Sequence, residues 1–383
     1  MRICVVGAGV LGLTAAYELV SRGHQATLVD REGPLAGASH RSFAWLNANN
    51  KFPSSYHRLN AFGIEEHDRL QERLPDATAW LHLNGSILAD FSDARRDTYA
   101  TRLESAQAEG YPVREAHRED LAALEPSIGW PQELDGGLYY PGEGYLDTDI
   151  FAEELVRALA AAGAHLERRE VERVESSAAG AVVVTTDGER GSFDRVVLAA
   201  GAWSRQLGEN SEFTIPVADL SAASTRTHSL LGLTVPTDIG LRRVLISDRI
   251  NVRPRHDGRM WVQVPHVEQR VAEGESPRLL AEVAATMKGE LEWLFERPVP
   301  VEKVWFSGRS LPEDGLSIMG FVDEEQKVYC MVTHSGMTLA ALLGRLAAEE
   351  LAGQASELLG DFRPARFKDG IPEFADCDFI GRQ

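Results

Sequence analysis

The sequence predicts an α/β chain (α+β overall). A doubly wound, parallel-sheet domain is assembled from separated segments, and a strand-rich antiparallel domain is interleaved with it. Three observations carry that expectation. A βαβ unit with a glycine turn fills the first thirty residues. Two apolar runs, Arg195 to Ala199 and Val328 to Val332, have the unbroken texture of strands buried on both faces. From about 213 to 306 the texture changes to short strand-like runs broken by Pro and Gly.

The opening unit is the most specific. Ile3 to Val6 meets Gly7-Ala8-Gly9-Val10-Leu11-Gly12, and a helix follows from about Gly12 to Arg22, with Gly23 as its stop. Ala26 to Val29 then closes on Asp30. This is strand, glycine turn, helix, strand and acid, the context in which a GxGxxG pattern means a dinucleotide site. Gly7 permits the tight turn, Gly9 a close approach of backbone to pyrophosphate, and Gly12 the packing of helix on strand. The pyrophosphate sits at the helix N-terminus, where orphan N–H groups and the dipole favour an anion. Asp30 is placed to accept hydrogen bonds from a ribose.

Further along, helices are predicted over 55–74, 94–109 and Phe151 to Ala162, the last capped by Thr148 or Asp149. Residues 80–90 suggest strands, and 131–145, rich in Gly, Pro and Tyr, reads as a crossing segment. His165 to Val174 and Ala181 to Thr186 read as strands, as do Arg243–Ser247, Ile250–Arg253 and Arg259–Val264. A helix near 277–295 interrupts the strand-rich region, and Leu339 to Leu351 is a final helix.

A chain of 383 residues with 44% apolar content can bury two cores. Its net charge of −19 argues against nucleic-acid or anionic-membrane partners. No 18-residue uncharged apolar run is present, so no membrane span is expected. The first apolar strand begins at once, without a basic stretch and long apolar run before it, so no signal peptide is predicted. Cys4, Cys330 and Cys377 have no metal-ligand spacing. An odd count without CxxC suits a reduced, cytoplasmic setting.

Three more stretches carry chemistry. Gly37-Ala38-Ser39-His40-Arg41-Ser42 offers hydroxyls and an arginine close behind the ribose acid. Arg309-Ser310-Leu311-Pro312-Glu313-Asp314-Gly315 holds an arginine among turns, where a planar guanidinium can grip a carboxylate through two parallel hydrogen bonds. Thr333-His334-Ser335-Gly336-Met337-Thr338 joins a buried strand to the last helix, so a second helix N-terminus faces a ligand.

Together, and in this order, these stretches resemble the D-amino acid oxidase, glycine oxidase and sarcosine oxidase family of flavoproteins. The Val196-Val197-Leu198-Ala199-Ala200-Gly201-Ala202-Trp203-Ser204 run adds to the match. The resemblance implies FAD, held non-covalently, since no cysteine lies near the Arg309 segment. It assigns Gly7, Gly9, Val10, Leu11, Gly12, Asp30, Arg31, Ser39, Arg41 and Ser42 to the ADP half, and the Val171 backbone to the adenine. Gly201 and Trp203 fall near the cofactor's middle, and Ser335, Gly336, Met337 and Thr338 near the flavin ring. Arg309 matches the family's carboxylate-binding arginine. Asn251, His256, Gln263 and Trp45 are candidate substrate-pocket walls. The implied domains are FAD-binding over 1–45, 146–212 and 307–383, and substrate-binding over 46–145 and 213–306. The implied reaction oxidises the C–N bond of an amino acid or related amine by hydride transfer to flavin N5, giving an imine and then an oxo acid.

The chain also departs from the family. Asn251 stands where many relatives have a tyrosine, and Ser335-Gly336-Met337 lacks the second arginine of glycine oxidases. Arg259 to Val264 lacks the lysine that sarcosine oxidases place near the flavin. A secondary-amine or biosynthetic amine dehydrogenase with a non-oxygen acceptor, a nicotinamide-dependent dehydrogenase and a non-catalytic FAD-binding subunit are the alternatives.

Overall fold

A computed structural model of the chain describes residues 1–74, 76–91 and 96–371; Cys377 lies outside them. The central sheet has six strands in the order Ile318–Phe321, Val328–Val332, Arg195–Leu198, Arg2–Val6, Gln25–Asp30, His165–Arg168. All pairs are parallel except the first, which is antiparallel. The alternation of strand side chains sorts this sheet into two cores. Ile3, Val5, Val197, Tyr329 and Met331 face the helices Val10–Ser21, Thr148–Ala161 and Gly336–Leu351. Cys4, Val6, Val196, Leu198 and Cys330 face the other way, onto a three-stranded antiparallel sheet carrying Val174, Ala181 and Val183.

Helices meet closely where glycines allow it. A Cβ on Gly344 would come within 2.7 Å of Thr14, and one on Gly63 within 2.5 Å of the Thr338 carbonyl. The first contact joins the opening helix to the last. The second brings Ser54–Glu72 onto the N-terminus of the last helix, and Tyr56, Leu59, Ile64 and Leu70 of that helix share the core of the parallel sheet.

The second large sheet has eight strands in the order Val301–Gly308, His228–Thr234, Met260–Gln263, Asn251–Pro254, Val244–Ile246, Ser86–Leu88, Gly136–Tyr140, Arg114–His117. Its pairs are antiparallel except Val244–Ile246 with Ser86–Leu88. The helix Pro277–Phe295 covers one face through Leu279, Val283, Met287 and Leu291. It starts cleanly, because Pro277 presets the first turn and the Ser276 hydroxyl accepts from the Leu279 N–H at 3.2 Å.

Three local expectations change. His165 to Val174 is two strands, His165–Arg168 in the parallel sheet and Val171–Ser177 in the small antiparallel one. The segment 131–145 holds strand Gly136–Tyr140 and the start of Gly144–Leu146. Its glycines are strand residues because neighbours press on them: a Cβ on Gly137 would lie 2.2 Å from the Leu88 carbonyl oxygen. The helix expected from Phe151 starts at Thr148 and is N-capped by Asp147. Among the described residues no helix is long and apolar enough to cross a membrane.

His67 gives the fold a pH dependence. It is fully buried, its Nε2 lies 2.7 Å from the Met337 carbonyl oxygen, and its ring packs edge-on against Phe151. Burial lowers its pKa from 6.5 to about 4. The unfolded chain therefore binds the extra proton between those values, so stability is full above pH 6.5 and declines as pH falls toward 4. The contribution lost between pH 7 and pH 5 should be about 2 kcal/mol. Urea unfolding of His67→Gln, which keeps a donor for Met337, should show a shallower loss over that interval. An equal loss in variant and wild type would remove His67 as the cause.

Candidate active site

The glycine turn opens onto a cavity of about 650 Å³ that runs between the two large sheets. Its walls come from places far apart in sequence, among them the opening turn, the loop 36–51, the Val171 region, the 199–210 turn, and the segments around Arg309 and Gly336.

Gly7, Gly9, Val10 and Leu11 line it. Gly7 has φ +105°, and a Cβ there would strike the Ala199 carbonyl oxygen at 2.4 Å. Gly12 does not line the cavity. A Cβ on it would sit 1.8 Å from the Gly7 carbonyl oxygen, so its part is to let the helix press against the turn. Asp30 lines the cavity and braces the turn, accepting from Ala8 N–H at 2.8 Å and from Glu32 and Gly33 N–H at 2.9 and 2.7 Å. The Ser39 hydroxyl accepts from Val10 N–H at 3.2 Å, and Arg41 and Ser42 follow along the wall. Val171 and Gly201 lie on the same wall. Beside them the Arg31 guanidinium stacks 4.0 Å from the ring centre of Trp203, which is 43% exposed.

The last helix begins at Gly336, where a Cβ would lie 3.8 Å from Val10, and Ser335, Gly336, Met337 and Thr338 line the cavity. The first-turn N–H groups of a helix have no acceptor within it, so two helix N-termini serve one cavity. Trp45 and Gln263 also line it. Trp45 is held by a buried hub: the Glu143 carboxyl accepts from Trp45 Nε1 at 3.1 Å, Asn49 Nδ2 at 2.7 Å and the Tyr111 hydroxyl at 3.1 Å, and also from Ser86. Burial raises the pKa of that carboxyl.

Two expected pocket walls lie elsewhere. Asn251 is buried, and its Oδ1 accepts from Ser247 N–H at 2.9 Å, closing the turn between two strands. His256 sits on an exposed turn, 3.6 Å from Asp147 and 4.0 Å from Asp149. The same carboxylates also face Arg253 and Arg255, so a network of opposite charges accounts for the group. Neither residue lines the cavity.

A cavity lined by a glycine cradle and by a second helix N-terminus suits an anionic dinucleotide. A family model described as "FAD dependent oxidoreductase" matches residues 2–350. The chain belongs to that family. The protein is thus an FAD-dependent oxidoreductase. It is 25% identical over 362 residues to the glycine oxidase of Geobacillus kaustophilus, covering 91% of this chain and 92% of that one. It is 24% identical over 430 residues to a D-amino-acid oxidase of Bradyrhizobium diazoefficiens, covering 95% and 98%. The crystal structure of the Geobacillus kaustophilus glycine oxidase superposes with a TM-score of 0.81 at 22% identity, over 94% of this chain and 98% of that one. L-proline dehydrogenase from P. horikoshii also reaches 0.81, at 18% identity, over 96% and 98%.

The end of the cavity around Arg309 holds a cluster of ionisable side chains. Arg309 lines the cavity with its side chain only 11% exposed. Its Nε donates to the His228 carbonyl at 3.1 Å and its Nη2 lies 3.4 Å from Glu268 Oε2. His228, Ser229, His334 and Lys51 share this end. Burial, then the charge of Arg309, lowers the pKa of His228, and burial, Arg309 and Lys51 hold His334 well below its ordinary value. Both imidazoles are neutral at pH 7. Lys51, His228 and Glu268 are residues that sequence reasoning missed. Lys51 is an unexpected buried cation, 3% exposed, on a loop with no motif around it.

Proposed function

We propose that this protein oxidises the C–N bond of an amino acid whose carboxylate is held by Arg309. The observation that carries the reading is the buried guanidinium of Arg309 in the same cavity as Gly336 to Thr338. When bound, FAD supplies the two-electron acceptor. The chain's residues bind and orient. Gly7, Gly9, Val10, Leu11, Asp30, Arg31, Ser39, Arg41 and Ser42 hold the ADP half, Gly12 shapes the turn, and Val171, Gly201 and Trp203 follow it. The helix N-terminus at Gly336, with Ser335, Met337 and Thr338, receives the ring system and favours negative charge there. The two described cysteines, Cys4 and Cys330, are buried in strands and do not line the cavity, which supports non-covalent binding.

Arg309 presents a rigid, planar donor set, and the backbone carbonyl of His228 fixes its plane. A carboxylate seated there has its α-carbon and amine directed away from the guanidinium. Trp45 and Phe306 add apolar surface to the same cavity. Neutral His228 and His334 do not repel the amine's cationic form and can accept a hydrogen bond from it. Gln263 offers an amide to the same end. The domain division given above and a cytoplasmic location belong to the same proposal.

Anaerobic mixing with a panel of D-, L- and N-methyl amino acids tests it. At least one should bleach the flavin, while the matching amine without a carboxylate should not. Bleaching by the amines alone would sink the carboxylate reading. A flavin that none of the panel reduces would point to a binding subunit. Release of hydrogen peroxide under air then separates an oxidase from a dehydrogenase.

A further inference from the structure

We propose that Glu268 is the positioning residue of the carboxylate clamp: a buried carboxyl behind Arg309 that aims the guanidinium and competes with the substrate for it. The inference rests on the reading of Arg309 as the substrate's carboxylate partner.

Glu268 belongs to the short helical segment Pro265–Glu273, is 3% exposed and does not line the cavity. Its Oε1 accepts from Leu230 N–H at 3.2 Å, and its Oε2 faces Arg309 Nη2 at 3.4 Å. With the His228 carbonyl on Nε, two of the five guanidinium donors are anchored to protein, which fixes the plane of the rest. Neither charge is cheap to bury alone, so each holds the other in place.

A substrate carboxylate changes this balance. Two anions then share the Arg309 guanidinium, and the buried one is relieved by taking up a proton. The groups around the pair are Arg309 itself, His228 on the strand His228–Thr234, His334 before the last helix, Lys51 from the loop, and Glu275 just beyond the helical segment. His228 and His334 are already neutral above pH 6.5. Burial pushes the Glu268 carboxyl up to about 7, against the opposing pull of Arg309. Carboxylate binding coupled to protonation there must weaken as pH rises through that region. With Glu268 protonated, Arg309 meets the ligand with its charge unopposed.

The test uses the FAD-loaded enzyme and two probes without an amine, acetate and acetamide, titrated by the change in flavin absorbance. For wild type, the acetate Kd should rise about tenfold from pH 6 to pH 8.5, within the usual range of site-to-site coupling. In Glu268→Gln it should change less than about twofold, and at pH 8.5 acetate should bind more tightly than to wild type. In Glu268→Ala, acetate should bind more weakly than to Glu268→Gln even at pH 6, because the aim of the guanidinium is lost. Acetamide should bind weakly, with no pH trend in any of the three. Superimposable acetate profiles for wild type and Glu268→Gln would overturn the competition. Equal binding by Glu268→Ala and Glu268→Gln at pH 6 would overturn the aiming. Acetate binding wild type no better than acetamide would instead overturn the clamp reading of Arg309.

Discussion

Arg309→Ala should lower kcat/KM for an amino acid substrate by about a thousandfold, since losing one partner of a buried charged pair costs about 4 kcal/mol. The size of the effect follows from placement. Arg309 is nearly enclosed, and its plane is set by protein on two sides. A carboxylate left without it loses its planar partner and keeps Lys51 as a further cation of the lining. Arg309→Lys should recover part of the loss, because the charge returns without the planar fork. The discriminating comparison is the matching amine without a carboxylate, whose poor turnover should be the same in Arg309→Ala and wild type. Flavin content should be unchanged, because Arg309 is not among the residues proposed to hold the cofactor. Turnover of the amino acid within a few-fold of wild type would remove Arg309 from the clamp.

Gly12→Ala should abolish retention of flavin through purification. A Cβ at Gly12 would stand 1.8 Å from the Gly7 carbonyl oxygen, and that atom is backbone and cannot rotate away. Either the helix or the turn must shift, and Gly7 is itself confined, with φ +105° and the Ala199 carbonyl close by. Overpacking of this kind costs about 1–3 kcal/mol even in a forgiving core. Here it also displaces the N–H groups that would receive the pyrophosphate. Gly9→Ala is the informative contrast. Its Cβ would meet only the Ser39 hydroxyl at 3.2 Å, so the fold should persist while the new methyl intrudes on the cofactor's path. Thermal unfolding of the two apoproteins and their flavin absorbance per protein separate the cases. Full flavin in Gly12→Ala would show that the turn tolerates the shift.

The nucleotide half of the cavity was legible in the sequence because it depends on backbone. A tight turn, a close approach and a helix start each demand glycine at a fixed place, and Gly7, Gly9 and Gly12 meet those demands. The substrate half depends on side chains brought together from strands, and spacing carries little of that. Asn251 looked like a pocket wall from its place on a strand, yet its amide closes a turn. His256 was another candidate wall, yet it faces Asp147 and Asp149 and does not line the cavity. Glu268 sits in an undistinguished run of charges, and only the fold brings it behind Arg309. The split of 165–174 into two strands was hidden for a related reason. Alternation reports that a segment is extended, not which sheet it joins.

The order of the central sheet has a consequence during synthesis. The opening strand is flanked by Gln25–Asp30 on one side and Arg195–Leu198 on the other, and Val328–Val332 lies one strand further out. The glycine cradle is thus translated well before the strand Arg195–Leu198 beside it, and further still before the second helix N-terminus. At about 5–20 residues per second, the ribosome takes tens of seconds to travel from Asp30 to Gly336. Until then the most recognisable part of the chain is a half-built cup, its apolar strand edges open to other chains. Cofactor capture is therefore a late event. Flavin supply should govern how much protein survives the end of synthesis more than how synthesis starts.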